Sequence, residues 1–114
     1  MSLNEKTCVP CQSGAPKLTD EQIIERLKEV SSWRVISEEE ELKLFKKFDF
    51  VDFEETMYFV NKVAALAEKN GHHPVMLVEF RSLEIWWWTH KISGLHENDF
   101  IMAAKTDEIL NTFS

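Results

Sequence analysis

Histidines and carboxylates that could exchange protons are concentrated in the second half of the chain. The histidines are His72, His73, His90 and His96. Glu68 precedes His72 by one helical turn, and Asp99 follows His90 along the chain. Imidazole is the side chain best suited to give and take protons near neutral pH, and a carboxylate can orient it. If Glu68, His72, His73, His90 and Asp99 converge in the fold, they form a site for acid–base chemistry.

The same residues also have a purely structural interpretation. A histidine pair that follows a helix can simply complement the negative end of the helix dipole. Asp99 can be the third residue of the last helix and accept the backbone N–H of His96 as part of a helix cap. Glu68 can be an ordinary exposed helix residue. The spacing alone leaves both interpretations open.

Motifs of several other chemistries are missing from the sequence. The His72-His73-Pro74 stretch does not match a chelating spacing such as H-E-x-x-H, so we expect no metal site. No G-x-S-x-G elbow, G-x-G-x-x-G fingerprint or phosphate-binding P-loop is present. Cys8 and Cys11 form a C-x-x-C with no second ligand pair nearby, which favours incidental thiols over a zinc site. Proton transfer without a metal or cofactor is the chemistry that remains.

Length and charge limit the class of partner. The chain has 114 residues, of which 44% are apolar, and a formal net charge of −7, which suits one domain with one core. An acidic surface disfavours nucleic acid, because phosphates need basic contacts, and it disfavours anionic membranes. No apolar run is long enough to span a membrane, and the first ten residues lack the apolar stretch of a signal peptide. We therefore expect a cytoplasmic protein with no nucleic-acid or membrane partner.

Capping signals and apolar spacing predict three helices. Thr19 and Gln22 form a capping box before a helix over about residues 20–30. Asp52 caps a second, long helix that ends near Asn70-Gly71, a typical left-handed stop. Its apolar stripe is Phe53, Met57, Val60, Ala64 and Ala67. A third helix is predicted over about residues 97–110.

Alternating apolar residues predict four strands. They cover residues 33–36, 42–50, 76–81 and 83–88, with a turn at the acidic run 38–41 and a hairpin break at Arg81-Ser82. Short links between paired strands favour an antiparallel sheet, with the helices on one face. The sequence therefore predicts an α+β domain of order α-β-β-α-β-β-α over residues 18–114, preceded by a flexible tail over residues 1–17.

An aromatic wall is predicted beside one of the histidines. Strand alternation places Glu84, Trp86, Trp88 and His90 on one side of the sheet. Aromatic side chains next to an imidazole suit a flat heterocyclic ligand. Tryptophans in a row are equally typical of a strand with one face in the core and the other partly exposed.

Taken together, these motifs resemble one enzyme family. The stretch from Glu68 to Pro74 resembles the E-x-x-x-H-H-P signature of the pterin-4a-carbinolamine dehydratases. The residues that follow at the family's distances are Phe80, Thr89-His90, Gly94-Leu95 and Asp99. The similarity extends over about residues 18–110. His96 departs from the pattern, because family members commonly have Ser or Thr there as the helix cap, and Val75-Met76 replaces an acidic–aromatic pair often seen in animal members.

The resemblance implies a function and a set of roles. The family has a four-stranded antiparallel sheet backed by helices, often in a dimer of dimers. It dehydrates 4a-hydroxytetrahydropterin to quinonoid dihydropterin and thereby recycles tetrahydrobiopterin. The active-site histidines of the family correspond to His72, His73 and His90. The resemblance implies acid–base roles for His72 and His90, in either order, and mainly pterin binding for His73. The substrate-binding set is Glu68, His73, Pro74, Trp88 and Asp99.

Two other functions are compatible with the same resemblance. Some animal members are also dimerisation cofactors of a homeodomain transcription factor. A member without a hydroxylase partner could act elsewhere in pterin metabolism, for instance around the molybdenum cofactor. Either way we expect a small pterin ligand and a homodimer or homotetramer, because the aromatic residues and an open strand edge exceed what one small domain can cover.

Overall fold

The elements of the fold follow the predicted order. The structure, a computed structural model, describes residues 2–6, 8, 17–92 and 94–113. Its main elements are α1 (Asp20–Leu27), β1 (Arg34–Glu38), β2 (Glu41–Asp49), α2 (Phe53–Asn70), β3 (Val75–Glu79), β4 (Ser82–Trp87) and α3 (Glu97–Asn111). This confirms the α+β class and the order α-β-β-α-β-β-α. None of the described helices is both long and apolar enough to cross a membrane.

The four strands form one antiparallel sheet in the order β1-β2-β4-β3. Leu44 pairs with Trp87, and Phe45 pairs with Trp86, which also pairs with Val75. Because directly opposed residues point to the same face, the sheet has two distinct faces. Leu44 and Trp87 lie on the buried face against the helices, whereas Phe45, Trp86 and Val75 lie on the opposite face, here called the open face.

One hydrophobic core fills the space between the buried face and the helices. The fully buried side chains of the strands, α2 and α3 include Leu44, Leu83, Ile85, Trp87, Phe59, Val63, Phe100 and Met102. The Phe48 ring packs against both Phe59 and Trp33, with centroids 4.9 and 5.9 Å apart. Burying side chains of this size contributes about 1.5–3 kcal/mol each before the entropy of ordering is subtracted. The core therefore fixes how α2 and α3 sit on β4.

The buried stripe of α2 differs from the predicted one. Phe53 is 50% exposed, and Met57 and Ala64 are only half-buried. The buried side chains of this helix are Thr56, Phe59, Val60, Val63 and Ala67. Val60 and Ala67 of the predicted stripe are buried as expected, but the rest of the buried face consists of Thr56, Phe59 and Val63. The Thr56 hydroxyl donates to the carbonyls of Asp52 and Phe80 at 2.9 and 3.2 Å.

Most predicted boundaries were accurate to a few residues. The Thr19–Gln22 capping box and the Asp52 cap are both present, and the acidic run turns at Glu39 and Glu40, both with positive φ. Helix α1 ends at Leu27 instead of continuing to residue 30. The β3–β4 turn falls at Phe80 and Arg81, one residue earlier than predicted.

Part of the segment predicted as a flexible tail is packed against the domain. Residues Leu3–Glu5 form a 3-10 turn, and the Leu3 side chain is only 1% exposed. The Leu3 N–H donates to the Glu29 carboxylate at 3.1 Å, and Lys105 Nζ donates to the Asn4 carbonyl at 3.1 Å. These contacts bind the turn to α3 and to the end of α1. Cys11 lies outside the described residues.

Candidate active site

A left-handed glycine directs the first two histidines out of α2. Gly71 has φ 62 and ψ 30, the left-handed conformation that ends many helices. The His72 N–H still donates to the Ala67 carbonyl at 3.2 Å, so the chain turns sharply after the last helical turn. His72 and His73 therefore leave the helix in fixed positions, directly before Pro74, which precedes β3.

His72 is paired with Asp99 from α3. The His72 Nε2 atom lies 2.7 Å from Asp99 Oδ1, and the two side chains are 12% and 0% exposed. The His72 ring also stacks on the Trp87 ring, with the planes 7° apart and the centroids 5.7 Å apart. A hydrogen bond and a ring stack together fix both the position and the plane of the imidazole.

The Asp99 carboxylate accepts two further hydrogen bonds inside the protein. Its Oδ2 atom accepts from the Thr89 hydroxyl and from the His96 N–H, each at 2.9 Å. The bond from His96 is the capping-box contact that the sequence predicted, and the His96 ring accepts the Asn98 N–H at 3.1 Å. The two interpretations of Asp99 are therefore compatible: one carboxylate caps α3 and also holds His72.

The arrangement around Asp99 determines which His72 nitrogen can exchange a proton. When Nε2–H donates to the carboxylate, Nδ1 is the remaining acceptor of the ring. Within the part of the chain that the structure describes, Nδ1 has no hydrogen-bond partner. Asp99 is fully buried, so its carboxylate has no exposed surface of its own, and His72 is its partner on the less buried side.

Thr89 connects the His72–Asp99 pair to the segment that carries His90. Thr89 is 3% exposed and its N–H donates to the Gly94 carbonyl at 2.9 Å, which closes a short loop. His90 begins the 3-10 turn His90–Ile92 inside that loop. The residue that holds Asp99 is thus the neighbour of His90 and also anchors its loop.

His90 is held differently from His72. It is exposed, and its ring lies against Trp88 with centroids 4.3 Å apart and planes 50° apart. Trp88 itself is 8% exposed, and Lys43 also lies over its ring, with Nζ 4.1 Å from the ring centre. The open aromatic wall predicted here is therefore largely covered, although Glu84 and Trp86 lie half-buried on the open face as expected.

His73 forms a separate pair with Glu68. The His73 Nε2 and Glu68 Oε1 atoms are 2.7 Å apart, and the side chains are 60% and 79% exposed. The two residues come from opposite sides of the Gly71 turn, so their contact depends only on local chain geometry. Pro74 follows directly, is half-buried and lies immediately before β3.

The predicted site residues thus fall into three groups. His72 with Asp99 and His73 with Glu68 are direct pairs. Among the described residues His90 has no hydrogen bond or ring contact with either pair, and its neighbour Thr89 links it to the His72–Asp99 pair alone. Thr89, Trp87 and Lys43 are supporting residues to which sequence reasoning gave no role. Thr89 belongs to the Thr89-His90 motif, so its position next to a predicted site histidine was the available signal.

Two other surface features lie apart from the histidines. A cavity of about 330 Å³ is lined by Asp52, Glu54, Glu55, Tyr58, Thr112 and Phe113, and one of about 200 Å³ lies between the N-terminal turn and α3. Among the described residues, no three His, Cys, Asp or Glu side chains form a cluster that could hold a metal ion. The acid–base residues described above therefore remain the candidate site.

An ion pair anchors the first turn of α3, which carries Asp99. Arg26 Nη2 lies 2.7 Å from Glu97 Oε1, and Lys6 Nζ lies 3.3 Å from Oε2. The hydrogen bond from the Arg26 guanidinium lowers the pKa of the Glu97 carboxyl below its ordinary value, against the opposing effect of burial. This carboxylate ties α1 and the N-terminal turn to the helix that positions Asp99.

Known proteins match this chain along most of its length. A Marinobacter nauticus protein named "Putative pterin-4-alpha-carbinolamine dehydratase" is 46% identical over 108 residues, which is 95% of this chain and 97% of the relative. A Nitrosococcus oceani protein of the same name is 45% identical over 95% of this chain and 96% of its own length.

Solved structures with the same arrangement of elements are also found. The transcriptional coactivator/pterin dehydratase from Brucella melitensis has a TM-score of 0.75 at 28% identity and covers 82% of this chain and 98% of its own. A pterin dehydratase-like protein, identified as a RuBisCO assembly factor in the alpha-carboxysome, has a TM-score of 0.59 at 29% identity, over 68% and 88% of the two chains. Residues 16–109 match the family described as pterin 4 alpha carbinolamine dehydratase, and the chain belongs to that family.

Proposed function

We propose that this protein dehydrates 4a-hydroxytetrahydropterin to quinonoid dihydropterin and so recycles tetrahydrobiopterin. In this reaction the C4a–O bond breaks, and the leaving oxygen takes a proton from a general acid and departs as water. A base removes a proton from a ring N–H, and the electron pair forms the new C=N bond. Only protons move between protein and substrate, so the chemistry calls for an acid and a base near neutral pH.

The observation that carries this proposal is the His72–Asp99 pair. A buried carboxylate with three hydrogen-bond donors fixes one imidazole nitrogen at 2.7 Å. A second group that orients the imidazole in this way is the usual requirement for a histidine acting as a base. We assign His72 as the proton acceptor, through Nδ1, because Nε2 is already engaged.

His90 is then the proposed proton donor. Its ring is exposed at the end of a strand and rests on Trp88, so it can reach a ligand while its position stays defined. A general acid next to the 4a-hydroxyl offsets the poor leaving ability of hydroxide. In this assignment Trp88 supports His90, and its covered ring contributes to the ligand site through that contact.

We assign the exposed His73–Glu68 pair to pterin binding. The pterin ring has an amino-pyrimidinone edge with donors and acceptors in one plane, which a carboxylate and an imidazole can match. Exposure of 60% and 79% leaves both side chains accessible to a ligand. Pro74 borders the same surface and stiffens the chain there.

A direct assay tests the proposal. Chemically generated 4a-hydroxytetrahydropterin should lose water much faster in the presence of the protein, as followed by the absorbance of the quinonoid product. His96→Ala is a control, because this histidine caps α3 and has no role in the proposed chemistry. No acceleration by folded wild-type protein would contradict the function.

The reaction as written needs neither a metal nor a redox cofactor, since it consists of proton transfers. Protein treated with a chelator should therefore keep its full rate. Loss of the rate on chelation, restored by one particular metal, would contradict this part of the proposal.

The cytoplasmic location expected from the sequence stays a prediction.

We also propose that the chain forms a homodimer or homotetramer. Edge strand β3 carries exposed apolar side chains at Val75, Leu77 and Val78, and Phe80 in the adjoining turn is 68% exposed. An apolar edge strand with unpaired backbone groups favours pairing with another strand. Light scattering at micromolar concentration should report an assembly larger than the 13.4 kDa monomer, and a monomer would contradict it.

A further inference from the structure

Lys43 is buried on the open face of the sheet without an obvious structural need. It is 8% exposed, and lysine is almost never this buried unless it is paired. Its Nζ atom lies 4.1 Å from the centre of the Trp88 ring and 3.3 Å from Glu38 Oε1. Lys47 lies on the same face of the same strand and is exposed. Burial is therefore not common to the lysines on this face of β2, and Lys43 differs from Lys47 in having both Trp88 and Glu38 against its ammonium group.

Trp88 in turn supports His90. The two ring centroids are 4.3 Å apart, and Trp88 is 8% exposed. Within the described part of the chain, this is the only ring contact of His90, and its nitrogens have no hydrogen-bond partner there. His72 differs, since it has both a carboxylate partner and a ring stack. The placement of His90 therefore depends on the orientation of the Trp88 ring.

A cation over an indole ring stabilises one orientation of that ring. Cation–π contacts with tryptophan are the strongest of their kind and gain strength when the pair is shielded from water. Both members of the Lys43–Trp88 contact are more than nine-tenths buried. The Glu38 carboxylate, whose side chain is 49% exposed, holds the ammonium group from the solvent side.

We infer that Lys43 is a positioning residue for His90 and acts through Trp88. This inference rests on the proposed function, in which His90 donates a proton to the leaving hydroxyl. Lys43 does not touch the substrate in this arrangement; it fixes the indole ring that carries the imidazole. Its removal should therefore affect the chemical step more than substrate binding.

Three substitutions separate the charge of Lys43 from its packing. Lys43→Met keeps the apolar stem and removes the cation. Lys43→Arg keeps a cation that can stack on an indole. Lys47→Met makes the same chemical change as the first variant on the same face of the strand, at an exposed position, and is the matched control.

The kinetic expectation is a change in kcat with little change in KM. Lys43→Met should lower kcat about threefold to tenfold, the range expected when one cation–π contact that orders a catalytic group is lost. Lys43→Arg should restore most of the rate, and Lys47→Met should match the wild type. A Lys43→Met variant that is folded and retains wild-type kcat would overturn the inference.

An NMR measurement tests the placement of His90 independently of activity. The Trp88 ring current should shift the imidazole proton signals of His90, which can be assigned by their loss in His90→Ala. These signals should move towards values of a free histidine in Lys43→Met but not in Lys43→Arg or Lys47→Met. If the wild type proves inactive, the proposed function fails while this measurement still decides whether Lys43 positions His90. Unchanged His90 signals in Lys43→Met would overturn the inference whatever the rate.

Discussion

Two adjacent histidines, His72 and His73, make pairs of the same length in opposite environments. Each has Nε2 at 2.7 Å from a carboxylate oxygen. Asp99 is 0% exposed and Glu68 is 79% exposed. The buried carboxylate has two more donors and a ring stack beside its partner, whereas the contacts of the exposed pair depend on one local turn.

The difference shows that an equal distance between two atoms does not mean that a histidine is held equally firmly. Charged contacts in solvent contribute little and reform easily, because water competes for both partners. A buried and fully hydrogen-bonded carboxylate is costly to disturb, so it holds its partner in one orientation. We therefore expect the His72 pair to determine the rate and the His73 pair to determine binding.

Replacing each histidine with alanine should give the largest difference in kinetic effect between the two pairs. His72→Ala should lower kcat about 100-fold or more, the scale of a lost acid–base group. His73→Ala should act mainly on KM, because its ring is assigned to the ligand. His90→Ala should resemble His72→Ala. Steady-state kinetics on folded variants measure this, and equal kcat losses at positions 72 and 73 would remove the distinction.

The second-largest loss of kcat should come from Asp99→Asn, which removes the charge of the buried carboxylate and keeps its shape. In Asp99→Asn, an amide oxygen that keeps the bonds from Thr89 and His96 turns its NH₂ group towards His72 Nε2. His72 then has to accept at Nε2, which leaves Nδ1 protonated and unable to take a proton. We expect a kcat loss of about 100-fold and a destabilisation of about 1–3 kcal/mol.

The pH–rate profile of Asp99→Asn distinguishes the two roles of this residue. A changed profile together with a lower melting temperature indicates that Asp99 acts on His72 and also caps α3. A lower melting temperature with an unchanged profile and rate would show that Asp99 serves only as the helix cap.

A hydroxyl deletion tests whether the buried network is needed as a whole. Thr89→Val keeps the shape of the side chain and removes the donor to Asp99 Oδ2. We expect kcat to fall about tenfold, and Thr89→Ser to recover most of it. Thr106→Val is the matched control, because Thr106 is also fully buried but donates to the Met102 carbonyl within α3. Equal effects of the two valine variants on kcat would indicate general destabilisation.

The same loss of charge in the exposed pair, by Glu68→Gln, should have little effect on kinetics or stability. Glu68→Gln keeps the length of the side chain, and water can replace its contact with His73. We expect a change in KM of about threefold or less, no change in kcat, and no measurable loss of stability. KM should also depend less on salt concentration in this variant than in the wild type. A kcat loss as large as that of Asp99→Asn would contradict the comparison.

The smallest effect should be a loss of stability when the ion pair that anchors α3 is removed by Glu97→Gln. The pKa of Glu97 is lowered mainly by Arg26, so its charge stabilises the folded state at pH values above its ordinary pKa of 4.5, and this stabilisation is lost as pH falls through the lowered pKa. Glu97→Gln should cost about 0.5–1 kcal/mol at pH 7. Urea unfolding of the wild type and of Glu97→Gln should show that the difference in their free energies of unfolding becomes smaller in acid. A difference that stays constant with pH would contradict a stabilising role of the Glu97 charge.

Local signals in the sequence predicted the fold well. The capping residues Thr19 and Asp52 and the stop at Gly71 act through neighbouring backbone groups, so a short stretch of sequence contains all the necessary information. The buried face of α2 was predicted only in part: Val60 and Ala67 are buried as expected, whereas Phe53 is exposed. The buried Thr56 could not be predicted from local spacing, because one of its two carbonyl acceptors, that of Phe80, lies in a distant turn.

The functional roles of the candidate site residues stay a prediction. The spacing of Glu68, His72 and Asp99 did not indicate that Asp99 pairs with His72 and Glu68 with His73. Those partnerships depend on how α3 packs on β4, which is a property of the whole core. The contact of Lys43 with Trp88 joins residues from β2 and the end of β4, and no local pattern indicates it.

The left-handed turn at Gly71 has a consequence for how such a site can evolve. His72 and His73 share a peptide bond and follow one turn, so any change in the backbone there moves both. A Cβ atom at position 71 would meet no atom within 4 Å, yet the φ of 62 is one that L-residues rarely adopt without strain. If the proposed roles hold, variation that adjusts one pair and spares the other occurs at the partner carboxylates: at Glu68 on α2 for ligand binding and at Asp99 on α3 for the rate. We expect natural diversity in substrate preference to concentrate on the α2 side.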